Sequence, residues 1–459
     1  PKLSKAHAAK ITRIDSQVKS IFDKINLLEV AKSTKYFIRN SAITPLVFVF
    51  ALSFELFGSN TSLDLLAIKI NTIFGIDVTA QAFCERMKQK KSVQFLKSCF
   101  EKLFKIQINE SFSNAYKTCF YMFSEVILED STTIVLDEKV KGFKGAGGAG
   151  SKSALKLNWV YNLFSCSTAG VDILDGKTPD QKTAQKNLKL LKKKPGILLI
   201  RDMGYFAIAS LRKINEYSCF YISRLVKGIM IFVNCNDEYP VNIEEFFKYH
   251  TRRGKSAKVL VYIGEEKFPT WLVIQKVPKR VLNRRIKRYK QKNSYRNPSE
   301  EYIKWAKYSV FITNIPDDLL ENASCCIKQL IVAIYGLRWQ IELLFKNLKS
   351  TIKIHFNRGK SPNRVLCLLY GRLITTMMAL MVLSFASAQD HNGRELSLFK
   401  VAEWLVSGQR LVKYIMCGKF GQIFFDCIKY FKLLSKDKRS RKTSLEGIED
   451  MLIGFMVAA

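Results

Sequence analysis

Apolar positions in the first 118 residues recur at helical intervals. Leu63, Leu66, Ile70 and Ile73 share one face, and strand-like alternation is scarce. The pattern changes at Glu125–Leu136 (EVILEDSTTIVL), where β-branched residues between polar turns predict a strand. Two more strand segments follow at Ala154–Cys166 and Gly170–Leu174. A basic helix is expected over Lys182–Lys194, ending at Pro195-Gly196, then a short buried strand at Ile197–Arg201. A helix over Phe206–Glu216 and a strand over Cys219–Arg224 complete an α/β core with a mixed sheet. Between 227 and 318 the segments Ile229–Val233, Lys258–Ile263 and Trp271–Lys276 crowd together and predict a β-rich insertion. One long helix is expected over Asn322–Ser350, and mainly helical structure from there to Ala459, with a charged segment at Lys436–Lys442.

Two apolar runs could pass for membrane spans. Leu46–Phe54 is too short, and Arg372 interrupts Val365–Ala388, leaving about 16 apolar residues where roughly 20 are needed. A buried core helix is the better reading. The chain opens on Pro1 with no signal-peptide pattern behind it.

Charge narrows the partner. The chain of 459 residues carries 74 Lys and Arg against 39 Asp and Glu, a net charge of +35. That excess exceeds what solubility needs and favours a polyanion, with nucleic acid first. The eleven cysteines are scattered without a C-x-x-C, and the four histidines form no ligand-spaced pair. A secreted disulfide framework and a zinc site are therefore both disfavoured, and a reducing cytoplasm fits best. Gly145–Ser153 (GAGGAGSKS) superficially suggests a phosphate-binding loop, but Ser151 separates Gly150 from Lys152 and breaks the required order. It reads instead as a hairpin tip.

The segment Tyr335–Lys349 (YGLRWQIELLFKNLK) is the most informative. On one continuous helix Tyr335, Arg338, Glu342, Lys346 and Lys349 would share an arc of roughly 80°. The stripe of Ile334, Leu337, Ile341, Leu344, Phe345 and Leu348 would anchor that helix to the core. A carboxylate beside cations suits a hard metal ion and phosphate oxygens. The same spacing also suits a solvated face held by i, i+4 ion pairs. Asp130 stands inside a β-branched strand, where propensity disfavours it, and the alternatives are an edge position or a misplaced strand boundary. Asp202 follows the strand Ile197–Arg201, where open α/β sheets gather ligands, and the alternative is a helix N-cap. Converging carboxylates of this kind can hold two Mg²⁺ ions for displacement at phosphorus. Asp137, Asp172 and Asp175 are reserve carboxylates, expected mostly in turns.

The spacing Y-x2-R-x3-E-x6-K (Tyr335, Arg338, Glu342, Lys349) resembles the signature of the insertion sequence four family of bacterial cut-and-paste transposases. Asp130-Ser131-Thr132-Thr133 resembles the family's first-Asp motif, and Arg201-Asp202-Met203-Gly204-Tyr205-Phe206 its second. Phe311-Ile312-Thr313-Asn314 resembles the strand leading into the third. The resemblance covers residues 120–355 well and the two ends loosely. It implies an RNase-H-like mixed-sheet catalytic core with a β-rich insertion, flanked by N-terminal and C-terminal helical regions. Asp130, Asp202 and Glu342 become the catalytic metal ligands for two Mg²⁺, for which Mn²⁺ could substitute. Tyr335, Arg338 and Lys349, with Lys346 beside them, become contacts to a phosphate at the transposon end.

Within the insertion, Lys276–Lys292 holds nine basic residues and is expected to run along a DNA backbone, with Arg284, Arg285, Lys287 and Arg288 as contacts and a solvated helix as the alternative. Some relatives flip a base onto an insertion Trp. The matching position lies near Ser309, so Trp305 and Tyr308 are the base-stacking candidates, though neither coincides with it. The expected organisation is 1–118 for binding DNA ends, 119–226 and 319–388 for the core, 227–318 for the insertion, and 389–459 for a helical region that dimerises. Expected partners are transposon terminal repeats, target DNA and a second copy of the chain, in the cytoplasm of a bacterium at its nucleoid, with no membrane. A nuclease that cuts without joining, or a domesticated DNA-binding protein, are the competing readings. The three acidic positions argue against the second.

Overall fold

The computed structural model describes residues 4–36, 41–55, 62–112, 117, 120–145, 152–192, 194–252, 254, 256–320, 327–355, 359–389, 396–406 and 410–435. Most of the glycine-rich stretch and the charged segment Lys436–Lys442 lie outside them. Among the described residues nine strands form one sheet: β1 (Glu125–Val135), β2 (Ala154–Asn162), β3 (Ser167–Asp175), β4 (Ile197–Arg201), β5 (Phe220–Arg224), β6 (Ile231–Phe232), β7 (Ser256–Ile263), β8 (Phe268–Lys276) and β9 (Tyr308–Thr313). Their order is β3-β2-β1-β4-β5-β9-β8-β7-β6. β1, β4 and β5 run parallel, while β2–β3 and β5 through β9 pair antiparallel. A hairpin beside three parallel strands in the order 3-2-1-4-5 is the RNase-H-like arrangement, and the mixed sheet agrees with the sequence reading.

The chain divides into two compact units. One comprises residues 1–118, 131–178 and 341–438, the other 119–130, 179–340 and 439–459.

The first unit is mainly helical around the β2–β3 hairpin. Its N-terminal helices begin where the sequence supplies caps. Ser4, Asp23, Thr44, Ser62 and Thr79 each accept a backbone N–H from the helix they open. The helix Leu63–Phe74 buries Leu66 and Ile70, as its spacing predicts. The helix Pro362–Ser387 is long and apolar enough to cross a membrane, but 89% of its apolar window is buried in protein. It packs on Lys90–Asn109 and on the π-helical turn Ala51–Glu55. The Thr168 N–H donates to Gln107 Oε1 at 3.2 Å, and the Phe112 N–H to Ser384 Oγ at 2.8 Å. Of the reserve carboxylates, Asp137 makes the expected turn by accepting from the Lys139 N–H at 2.8 Å. Asp172 and Asp175 instead lie within β3, opposite Asn158 and Leu155.

The second unit holds the parallel strands and the insertion. The Thr-Asn motif after β9 has a structural task here. Thr313 Oγ1 donates to the Tyr221 carbonyl at 2.7 Å, and Asn314 bonds the Tyr221 N–H and the Cys219 carbonyl, each at 2.8 Å. These bonds fasten β9 to β5. The insertion is less purely β than expected, because helices Ile243–His250, Lys279–Lys292 and Glu300–Ala306 alternate with its strands. Lys279–Lys292 is helical because straight-chain Lys, Arg, Gln and Leu follow a proline and lose little rotamer freedom in a helix.

The expected long helix over Asn322–Ser350 is two helices among the described residues, Ile327–Gly336 and Trp339–Ser350. Tight bonds from Leu337 N to the Ile334 carbonyl and from Arg338 N to the Tyr335 carbonyl end the first helix beside Gly336, a weak helix former.

Close backbone approach fixes one residue in the first unit. A Cβ at Gly371 would stand 2.5 Å from the Leu52 carbonyl oxygen and 2.8 Å from its carbon. Gly371→Ala should therefore cost about 1–3 kcal/mol through overpacking. A urea midpoint below wild type would show this, and an unchanged midpoint would mean that the turn yields without strain.

Candidate active site

Asp130 and Asp202 come together because β1 and β4 are parallel neighbours. Their register pairs Leu128 with Ile200 and Glu129 with Arg201, so the two aspartates are the next residue of each strand. Asp202 keeps an extended backbone (φ −77°, ψ 165°), and its side chain makes no capping bond to the short 3₁₀ turn Met203–Tyr205 that follows. The N-cap alternative is thereby removed. The glycine of the second motif has a spatial reason: a Cβ at Gly204 would lie 3.0 Å from Asp180 Oδ2.

The break at Leu337–Arg338 aims two signature residues at these acids. Arg338 Nη1 lies 3.4 Å from Asp130 Oδ2, and its Nε 4.0 Å from Asp202 Oδ1. The Tyr335 hydroxyl donates to Asp202 Oδ1 at 3.3 Å. The Tyr335 ring meets Phe311 edge-on, and the Arg338 guanidinium lies over it. Burial, then the Asp202 carboxylate, push the Tyr335 hydroxyl well above its ordinary pKa. It therefore remains a proton donor at every physiological pH.

The shared arc predicted from helical spacing is corrected by the same break. Tyr335 and Arg338 belong to the end of one helix and the turn after it. Glu342 stands in the first turn of Trp339–Ser350, where a helix N-terminus favours a carboxylate. Glu342, Lys346 and Lys349 belong to the first unit. Lys346 is exposed, with its ammonium 5.8 Å from the Phe399 ring centre. Burial lowers the pKa of Lys349.

In the insertion, Arg284, Lys287 and Arg288 lie exposed on one face of Lys279–Lys292. Arg285 does not join them. Its guanidinium donates to the carbonyls of Ala306 (2.8 Å) and Tyr308 (2.6 Å) and to Ser309 Oγ (2.6 Å), and burial lowers its pKa. The helical period places 285 on the inner face, so Arg285 clamps β9 rather than DNA. Tyr308 is likewise a core residue, 7% exposed against Phe247, and is not available to stack on a base. Trp305 also packs on Phe247 but is only half-buried.

Sequence reasoning missed two residues beside the site. Arg224 ends β5, faces the Phe311 ring and acts electrostatically on Tyr335. Its signal was its place at the carboxyl end of the third parallel strand. Trp339 is 57% exposed and directly follows Arg338. Its signal was a large aromatic outside the apolar stripe.

Among the described residues no group of three or more His, Cys, Asp or Glu side chains stands ready to hold a metal. Asp130 and Asp202 nevertheless fit a divalent ion. Both offer only oxygen donors, which hard cations prefer. One guanidinium lies within 4.0 Å of both carboxylates, so positive charge already stands beside each.

The Transposase DDE domain model matches residues 121–378, a span that includes Asp130, Asp202, Tyr335, Arg338, Glu342 and Lys349. The transposase for insertion sequence element IS1151 of Clostridium perfringens is 28% identical over 397 residues, covering 81% of this chain and 80% of the relative. The transposase for IS231B of Bacillus thuringiensis subsp. berliner is 26% identical over 375 residues, covering 76% of each. A piggyBac transposase synaptic complex with hairpin DNA aligns at TM-score 0.45 and 12% identity, covering 96% of this chain and 84% of that one. With more than half of its length matched, the chain belongs to the DDE-domain transposase family, enzymes that cleave and join DNA.

Proposed function

We propose that this transposase works by cut and paste. It hydrolyses one strand at each transposon end to free a 3′ hydroxyl, completes excision, and joins that hydroxyl to target DNA. The observation that carries the reading is the single guanidinium of Arg338 reaching both Asp130 and Asp202. Two carboxylates on neighbouring parallel strands stand beside one positive charge, as suits a phosphoryl-transfer site that takes a divalent ion. We assign Asp130 and Asp202 as metal-binding carboxylates with Glu342 as the third, and Mg²⁺ as the ion, with Mn²⁺ able to replace it. When bound, the metal supplies charge neutralisation at phosphorus and eases deprotonation of the attacking hydroxyl.

The chain's own side chains do the rest. Tyr335 holds Asp202 in place through its hydroxyl. Arg338 and Lys349 offer donors to the phosphate at the DNA end. The exposed face of Arg284, Lys287 and Arg288 follows the DNA backbone. A homodimer would pair the two transposon ends, in a bacterial cytoplasm.

The test is an end-cleavage and strand-transfer assay in Mg²⁺ on an oligonucleotide carrying the element's terminal repeat. Asp130→Asn, Asp202→Asn and Glu342→Gln should each lower both steps by about a hundredfold or more, the scale of losing one electrostatic stabiliser of a transition state. DNA binding should persist in all three. Normal cutting by any one of them removes that residue from the site. Cutting without joining by the wild type would make the protein a nuclease.

Salt dependence tests the insertion separately. Replacing Arg284, Lys287 and Arg288 together by Ala should flatten the slope of log K against log salt by about 2.7, from three contacts at about 0.9 each. Arg285→Ala should leave that slope unchanged and lower the melting temperature instead. A changed slope for Arg285→Ala, or an unchanged one for the triple variant, would contradict the assignment.

A further inference from the structure

Directly behind the two aspartates lies a buried ion pair that the chemistry above does not use. Glu129 is fully buried and Arg201 nearly so, and each immediately precedes one of the aspartates. Arg201 Nε donates to Glu129 Oε2 at 2.6 Å, and Arg201 Nη2 lies 2.5 Å from the same oxygen. The other oxygen, Oε1, accepts from Asn187 Nδ2 at 2.6 Å, and Arg201 Nη2 donates to the Ala184 carbonyl at 3.0 Å. Asn187 and Ala184 belong to the helix Asp180–Leu191, so this face of β1 and β4 is covered by that helix. Successive strand residues point to opposite faces. Glu129 and Arg201 therefore face the helix, and Asp130 and Asp202 face Tyr335 and Arg338.

Register matters more here than elsewhere in the sheet. Glu129 stands directly opposite Arg201 in the pairing of β1 with β4. The other pairs of that ladder are Glu125–Ile197, Val126–Leu198, Ile127–Leu199 and Leu128–Ile200. All but the first are aliphatic on both sides, and aliphatic pairs tolerate sliding because one branched side chain packs much like another. No tight turn joins the two strands either, since β2, β3 and a helix intervene. A slip of one residue would move one aspartate by about 3.3 Å and turn it to the wrong face. Buried ion pairs are poor sources of net stability, and fixing register is their best-supported use.

We infer that the buried Glu129–Arg201 pair is a register lock that sets Asp130 and Asp202 at the same level, making both residues positioning residues for the carboxylate pair. The inference rests on the aspartate site proposed above. It assigns Glu129 and Arg201 no contact with DNA or metal. Their effect passes entirely through the aspartates they precede. The helix Asp180–Leu191 takes part through Asn187 and Ala184, which hold the pair against the sheet.

The test compares wild type, Glu129→Met/Arg201→Met and, as a control without the site, Asp130→Asn. Apolar side chains of similar volume can replace a buried ion pair without loss of folding. The double variant should keep its circular dichroism and its cooperative melt. Its affinity for Mn²⁺ alone, read by electron paramagnetic resonance, and its cleavage rate should each fall by about ten- to a hundredfold, the usual cost of losing support behind a metal ligand. A crystal structure of the double variant should show Leu128 no longer opposite Ile200. Wild-type pairing together with wild-type Mn²⁺ affinity would overturn the inference. If the double variant does not fold, Glu129→Gln carries the comparison. It keeps the shape and removes the charge, and unchanged Mn²⁺ affinity and cleavage in that variant would overturn the inference equally. Should wild type bind Mn²⁺ no better than Asp130→Asn, the aspartate site itself fails, and the strand pairing in the double variant still decides the register lock.

Discussion

Asp130 and Asp202 are brought level on neighbouring parallel strands, where two carboxylates repel each other and positive charge is needed beside them. Arg338 meets the requirement by reaching Asp130 and Asp202 together. Tyr335 adds a hydrogen bond to Asp202 from a hydroxyl that burial keeps protonated. In the proposed metal-bound state the ion takes over this role, and Arg338 gives up its place between the two carboxylates.

The break between the helices Ile327–Gly336 and Trp339–Ser350 follows from that requirement. A continuous helix would have set Tyr335 and Arg338 on the same stripe as Glu342 and Lys349. Ending the first helix beside Gly336 frees Arg338 to turn toward Asp130 and Asp202. Glu342 then begins the next helix, at an end that already favours negative charge. The four-residue signature therefore describes two local structures, a turn that meets the aspartates and a helix that carries Glu342.

Much of this was legible in the sequence. β1, β4 and β5 announced themselves through short β-branched or aliphatic runs between turns, and the burial of Pro362–Ser387 through Arg372 inside an apolar stretch. Asp130 was visible as an acid that a strand should reject, and Asp202 as an acid just past a buried strand. The helix break was not legible, because its one local sign is Gly336 and a single glycine is common inside helices. Arg285 was indistinguishable from its neighbours by type. Only the packing of Lys279–Lys292 on the Ala306–Ser309 segment turns it inward. Tyr308 carried the same ambiguity, since an aromatic at a strand start serves a core as readily as a base. Side-chain type sets what a residue can do, and long-range packing selects which of those things it does.

The measurement closest to the central claim is anomalous diffraction from crystals of the wild-type protein soaked in Mn²⁺. The account predicts a peak bound by one oxygen each of Asp130 and Asp202, at roughly 2.0–2.6 Å from both. Arg338 should have swung away from the space between them. A peak elsewhere, or two aspartates still bridged by Arg338 at saturating Mn²⁺, would contradict it.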